Sequence, residues 1–371
     1  MTSTYFPTEH NVDWATAPGS VLQRELDARG ISQAQLAARS GLSTKHINLV
    51  IKGHAAISAD VAVTLEQVLE VPAETWLRIE AKHQAHHARL ARDLTLDHLA
   101  EWVSEFPMTD LVERSIVARD DTIATIAKKL LRFFGVASPA AFTKTWLEPQ
   151  ASYKRAQKFT IDRYAIAVWL RLSEVEATKV VATAPQYDPR ALEAAVKPIA
   201  NATIKPLLAA FEEAQRILLS AGVALVYVPE IKATRINGVS RWVQGHPTIA
   251  LTSRYRYLDV FWFTLMHEIG HVLLHPKRGT YVDYTGKADD DADSQEAAAN
   301  TFAESALLPR EYRAQVASAT TAETIIQIAA SVGVDPGIIA GQHGHLAGKW
   351  NGPIGRLRVR GDLEDAARVT N

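Results

Sequence analysis

Residues 263–275 read Phe263-Thr264-Leu265-Met266-His267-Glu268-Ile269-Gly270-His271-Val272-Leu273-Leu274-His275. The apolar spacing predicts a helix over 258–275, hydrophobic on nearly every side and so placed at the centre of a domain. On a helix, residues four apart lie one above the other, so His267 and His271 can both reach one ion at about 2.0 to 2.1 Å. Glu268 projects near the same face, where it can take a proton from a water that a metal has acidified. Two histidines and a glutamate buried in such a helix would be costly with nothing to hold them there. The pattern predicts a zinc site for hydrolysis.

A catalytic zinc needs a third protein ligand and an open position. At i+8 from His267, His275 stands roughly 12 Å further along a straight helix, so its expected role is support of the ligands, or contact with solvent. A histidine placed after a helix-ending glycine is also excluded, because Leu274 and Lys277 occupy those places. The ligand therefore comes from the next helix, expected over 294–307, where Glu296 in Glu296-Ala297-Ala298-Ala299-Asn300 sits among alanines that let two helices approach. Glu304 is the second candidate, and the acidic run Asp289, Asp290, Asp291 and Asp293 the third. Stabilising an oxyanion takes a further donor, for which Arg241, Tyr255 or Tyr257, and His343 or His345 are the candidates.

Upstream, 223–229 reads as a buried strand, and 237–242 with 248–252 as a strand pair joined around Gln244-Gly245-His246. Downstream, helices are expected over 321–332 and 336–345, and the tail beyond Gly361 as loosely ordered. Residues 93–221 are helical by pattern, with apolar faces over 111–134 and 159–180, and carry no chemical motif. They read as a spacer or scaffold.

The first ninety residues predict five short helices. Ser32 caps one with Gln35 at capping-box spacing, Ser43 and Ser58 cap the next two, and Gly30, Gly41 and Gly53 end helices. Ala37, Leu42, Ile47 and Val50 are spaced to pack two of these helices across a short turn, as in a helix-turn-helix. On the second of the two, Lys45 and Asn48 could read base edges, while Ser43, Thr44 and Lys52 could hold phosphates, with His46 also exposed. Eight Lys and Arg against nine acidic residues over 1–90 leave a single copy weakly attracted to DNA, so a homodimer is expected. His83, His86 and His87 read as an exposed helix face.

The chain has 371 residues and no cysteine. That excludes disulfide frameworks, thiolate zinc fingers and cysteine nucleophiles, and leaves His, Asp and Glu as metal ligands. Hydrophobic residues make up 47% and charged residues 22%, as in a folded globular protein. With 40 Lys and Arg against 41 Asp and Glu, no global charge draws the chain to nucleic acid or membranes, so such binding must be local. The start, MTSTYFPTEHNVDW, has no signal-peptide pattern, and no apolar stretch is long enough to span a bilayer. A cytoplasmic protein is expected.

The stretch 263–275, followed by Glu296-x-x-Ala299-Asn300-x-Phe302-Ala303 and Leu307-Leu308-Pro309, resembles the ImmA/IrrE family of zinc metallopeptidases. The resemblance implies a gluzincin-type site with His267, His271 and Glu296 as ligands and Glu268 as general base. Many members carry a second acidic residue directly before Ala-Asn. Here that position is Ala298, which puts the full weight of the element on Glu296. Pro18-Gly19, Ile31-Ser32-Gln33, Gly53, Ile57-Ser58 and Trp76-Leu77 are similar to HigA/VapI-type antitoxin helix-turn-helix domains of the Xre class. Leu130-Leu131-Arg132-Phe133-Phe134-Gly135-Val136 and Val223-Ala224-Leu225-Val226-Tyr227-Val228-Pro229 also resemble segments of fusions between the two.

The expected fold is mainly α with a small α+β domain. A helix-turn-helix domain covers 1–91, a helical linker or scaffold 92–221, and a zincin-like domain with a short sheet and C-terminal helices 222–371. The resemblance implies a transcriptional regulator that binds promoter DNA and cleaves a partner regulator, or itself, in a stress, phage or toxin–antitoxin circuit. The other reading is a catalytically idle sensor or antitoxin that uses the peptidase fold only to bind a ligand or partner.

Overall fold

The computed structural model describes residues 16–148, 162–254, 256–275, 281–284 and 293–370. They fall into two compact units. One takes the described residues through Ser104 together with Leu111–Phe133, and the other takes Glu105–Asp110 and everything described from Phe134 onward. Among the described residues no single helix is long and apolar enough to cross a membrane.

The first unit is built on α1 (Pro18–Arg29), α2 (Gln33–Ser40), α3 (Thr44–Ile51), α4 (Ala59–Leu69) and α5 (Ala73–Leu96). Local chemistry sets these boundaries. Ser32 and Gln35 form a complete capping box, and the hydroxyls of Ser43 and Ser58 accept the backbone N–H groups of His46 and Val61. Each cap satisfies donors that the first helical turn leaves open. Leu22, Leu26, Leu36, Ile47, Val50, Leu65 and Trp76 close the core between the helices.

The apolar face read over 111–134 is shared by two helices. Met108–Glu113 and Ile123–Phe134 are separate helices, Ser115 between them has a φ of 57°, and the Thr122 hydroxyl accepts the Thr125 N–H as a new cap.

The second unit is organised by a four-stranded sheet of β1 (Ala224–Tyr227), β2 (Ile236–Val243), β3 (His246–Leu251) and β4 (Tyr281–Tyr284), in the order β1-β3-β2-β4. β2 and β3 are an antiparallel hairpin with Ser240 opposite Ile249, turned by Gln244 and Gly245, both at positive φ. This is the backbone shape that a two-residue hairpin loop favours. β1 joins β3 in parallel. β4 was not anticipated: it lies in the segment read as a polar loop and pairs antiparallel with β2, Val282 opposite Val239.

Side chains alternate between the two faces of the sheet. Gly238 faces the helix Leu258–Leu274, where a methyl added to it would lie 2.7 Å from the Thr264 Cγ2. Arg241 faces the helix Arg163–Val181, forming an ion pair with Glu174 at 2.9 Å. That second helix buries Ile166, Val168, Trp169 and Leu172, and the Trp169 indole donates to the Val228 carbonyl at 3.1 Å. Of the two readings of 92–221, spacer and scaffold, the packing of 163–218 is that of a scaffold. Arg163–Val181 covers one face of the sheet, while Leu192, Ile199, Phe211 and Leu218, from the next two helices, join the core around Trp262, Leu265 and Ile269. Their apolar stripes need a partner, and the sheet with its central helix provides it.

The tail is also more ordered than expected. Leu258 N–H donates to the Val359 carbonyl and Gly361 N–H to that of Arg256, and beyond them Leu363–Thr370 is helical with Leu363 buried. The contact is anchored by an ion pair between Arg358 and Asp259, 2.8 Å long with side chains only 12% and 7% exposed. The guanidinium also lies over the rings of Tyr257 and Trp350. Removing one partner leaves a buried charge uncompensated, so Arg358→Ala should destabilise the second unit by about 3 kcal/mol in denaturant unfolding. The double variant Asp259→Asn/Arg358→Met should recover most of that loss. A single variant as stable as wild type would show that the pair does not anchor the tail.

Candidate metal centre and nucleic-acid interface

His267, Glu268 and His271 lie on the helix Leu258–Leu274, and each is almost fully buried, at 3%, 0% and 2% exposure. Glu296 comes from the helix Asp293–Leu307. The two helices run close because Gly270 presents no side chain at their crossing: a methyl there would lie 3.2 Å from the Ala299 Cα and 3.1 Å from the Phe302 ring. Close approach brings three donor groups to one point. His267 Nε2 is 2.9 Å from His271 Nε2 and 3.2 Å from Glu296 Oε2, and His271 Nε2 is 3.3 Å from Glu296 Oε1. Ligand atoms around a tetrahedral ion with bonds of roughly 2.1 Å lie roughly 3.4 Å apart, so the set fits a zinc-sized ion without rearrangement. It is the one group of three or more such donors that converges among the described residues.

Electrostatics agrees with this geometry. Burial by itself would raise the Glu296 carboxyl, but hydrogen bonds from His267 and His271, with their charges, outweigh it and hold the group at about 2. Burial lowers the His271 imidazole, against the opposing pull of Glu296. An ionised carboxylate and a neutral imidazole are the forms that bind a metal.

The surrounding groups orient the donors. His267 Nδ1 lies 3.0 Å from Asn300 Oδ1, so its N–H donates to the amide oxygen and Nε2 is the nitrogen directed at the centre. Asn300 was quoted in the sequence pattern without a role. Its spacing of four from Glu296 was the available signal, since it puts both on one helix face. His275, expected as support or solvent-facing, is 3.0 Å from the carbonyl of Gln295, the residue before Glu296, and so ties the two helices beside the site. The backbone of β2 borders Glu268, a methyl on Gly238 falling 3.0 Å from its Oε1.

Other candidates are committed elsewhere. Glu304 is ion-paired with Arg313. Arg241 is held by Glu174 and lies over the Trp146 ring, the Tyr257 hydroxyl accepts from Arg360, buried His343 reaches the Ala319 carbonyl at 3.1 Å, and His345 stacks edge-on against Trp350. Asp293 opens the Glu296 helix. Tyr255, Asp289, Asp290 and Asp291 lie outside the described residues.

Residues 224–340 match the family model of the IrrE N-terminal-like domain, and residues 22–76 match that of a helix-turn-helix. The chain joins an Xre-type helix-turn-helix domain to an IrrE-like peptidase domain. A comparison with curated proteins gives no match. The IrrE-like match begins at β1 and ends inside the helix Pro336–Ala347, so it contains the sheet, the histidine helix and Glu296.

In the helix-turn-helix domain, α3 presents Thr44 and Lys45 to solvent, with Lys52 exposed at its C-terminal cap. The Ser43 hydroxyl is engaged in capping, at 3.1 Å from the His46 N–H, and His46 is half-buried. Asn48 donates to Gln33 Oε1 at 3.4 Å, and Gln33 donates in turn to Gln23 at 3.2 Å. Gln33 was missed in the sequence because the contact spans fifteen residues. It holds the Asn48 amide in a fixed orientation on the α2 side of α3.

If Asn300 fixes the His267 tautomer, Asn300→Ala should weaken zinc binding by about 10- to 100-fold in a competition assay with a chelator, while the helix content stays unchanged. Equal affinity in the two proteins would remove Asn300 from the site.

Proposed function

We propose that the chain is a DNA-binding transcriptional regulator whose IrrE-like domain is a zinc-dependent endopeptidase that cleaves a partner regulator or itself. The observation that carries this reading is the convergence of His267, His271 and Glu296 beside a fully buried Glu268. A fold kept only as a binding surface has no use for an ionisable group at that position, where burial is expensive.

His267, His271 and Glu296 would hold zinc, whose chemistry there would be that of a Lewis acid toward a peptide carbonyl and a water. Glu268 accepts the proton of the attacking water and returns it to the leaving amine, so that one carboxylate serves both halves of the reaction. Asn300 and His275 keep the ligands aligned, and the apolar wall of the Leu258–Leu274 helix limits competing water. In the N-terminal unit, Lys45 and Asn48 read base edges and Thr44 and Lys52 hold phosphates, two copies together covering an operator.

Glu268→Gln should lower hydrolysis of a co-expressed partner regulator, or self-cleavage, by about 100-fold or more with zinc content unchanged. A variant that cleaves like wild type would end the peptidase reading. A wild type that binds zinc and its partner without cleaving either would favour the idle sensor. Lys45→Ala should weaken promoter DNA binding and lower the salt slope by about 1 if it neutralises a phosphate. If it reads a base, the loss should fall on the operator and spare unrelated DNA. DNA binding insensitive to both Lys45→Ala and Asn48→Ala would assign α3 to protein contacts.

A further inference from the structure

The face of α5 read as simply exposed holds a second pair of converging imidazoles. His83 Nε2 and His87 Nε2 are 3.1 Å apart, with ring centroids 4.4 Å apart. The pair repeats the spacing and geometry of His267 and His271, whose corresponding distances are 2.9 Å and 4.5 Å. Both histidines line a cavity of about 320 Å³ within the helix-turn-helix unit. Its opposite wall is the end of α3 and the turn that follows, including Val50, Gly53 and His54. Glu80, 9% exposed, forms part of the lining and is fixed by the Ile57 N–H at 3.0 Å and by Gln84 at 2.8 Å.

A hydrogen bond between two imidazoles on a partly exposed helix face is one that water readily replaces. An ion between them satisfies both lone pairs at once. Imidazole donors suit zinc, copper and nickel over magnesium or calcium, which prefer oxygen. We propose that His83 and His87 of α5, with His54 from across the cavity, form a second metal site that binds zinc. The exposed His54 side chain, in the turn after α3, lines the same cavity without meeting the pair, and a change of its rotamer would complete three imidazoles, water taking the fourth position. Bound zinc would tie α5 to the end of α3 and so stiffen the half of the unit that faces DNA. Glu80 contributes negative charge at the cavity wall, while His86 does not line the cavity and takes no part.

The test is equilibrium dialysis of the untagged full-length chain against zinc alone. Wild type should take up two equivalents. His83→Ala and His87→Ala should each lose one, and His86→Ala none. His54→Ala should release the second equivalent at a lower chelator concentration than wild type. His267→Ala counts the C-terminal site independently, so failure of either site leaves the other readable. Full retention of zinc in both His83→Ala and His87→Ala, or an equal loss in His86→Ala, would overturn the site. Unaltered release from His54→Ala would overturn the three-imidazole set.

Discussion

The C-terminal unit depends on one demanding arrangement: two imidazoles and a carboxylate placed inside the most apolar helix of the chain. Water cannot satisfy groups that are nearly fully buried, so the protein must supply every partner. The Glu296 carboxylate and the Asn300 amide answer His267, and Glu296 answers His271. Both supporting residues come from a helix that can approach only because Gly270 and Ala299 meet at the crossing. A side chain at Gly270 would press on Phe302 and the Ala299 backbone and push the two helices apart. Packing and chemistry are therefore the same constraint here.

The rest of the unit holds that helix still. The sheet supports one side through Gly238, which is small enough to let β2 border Glu268. On the far face, the helix Arg163–Val181 locks the sheet through Trp169 and Glu174. The Arg358–Asp259 pair ties the C-terminal segment to the first turn of the histidine helix. Each contact joins segments distant in sequence. Catalytic geometry requires placement within a fraction of an ångström, and such long-range ties supply it better than local helix propensity.

What was legible in the sequence follows the same division. Boundaries set by local chemistry were readable: the Ser32, Ser43 and Ser58 caps each lie where their spacing to the next polar or apolar residue put them. So were the hairpin around Gln244-Gly245 and the shared face of His267 and His271, because helical spacing determines which side chains share a face, whereas Glu296 was one of three candidates for the third donor. Features made by distant contacts were not readable. Arg241 looked available for an oxyanion, but Glu174, 67 residues earlier, occupies it. Whether the helices between 163 and 220 were spacer or scaffold stayed open because an amphipathic pattern shows that a face is buried without showing what buries it. β4 was hidden by its neighbours, a four-residue strand beside a run of aspartates that reads as loop.

The two histidine pairs show how burial changes what the same spacing can do. His267 and His271 have a carboxylate as third donor and no water to fall back on, so loss of the ion would leave their dipoles matched only by Glu296 and Asn300. Metal affinity there is coupled to the packing of two helices. His83 is half-buried and His87 exposed, so water can replace an ion there at little cost, and the proposed third ligand, His54, is itself exposed. A site of the first kind retains its metal and suits catalysis. One of the second kind exchanges with the surroundings, so its occupancy follows the free metal concentration. Placed next to the end of α3, an ion bound by His83 and His87 would link that concentration to the helix proposed to face DNA.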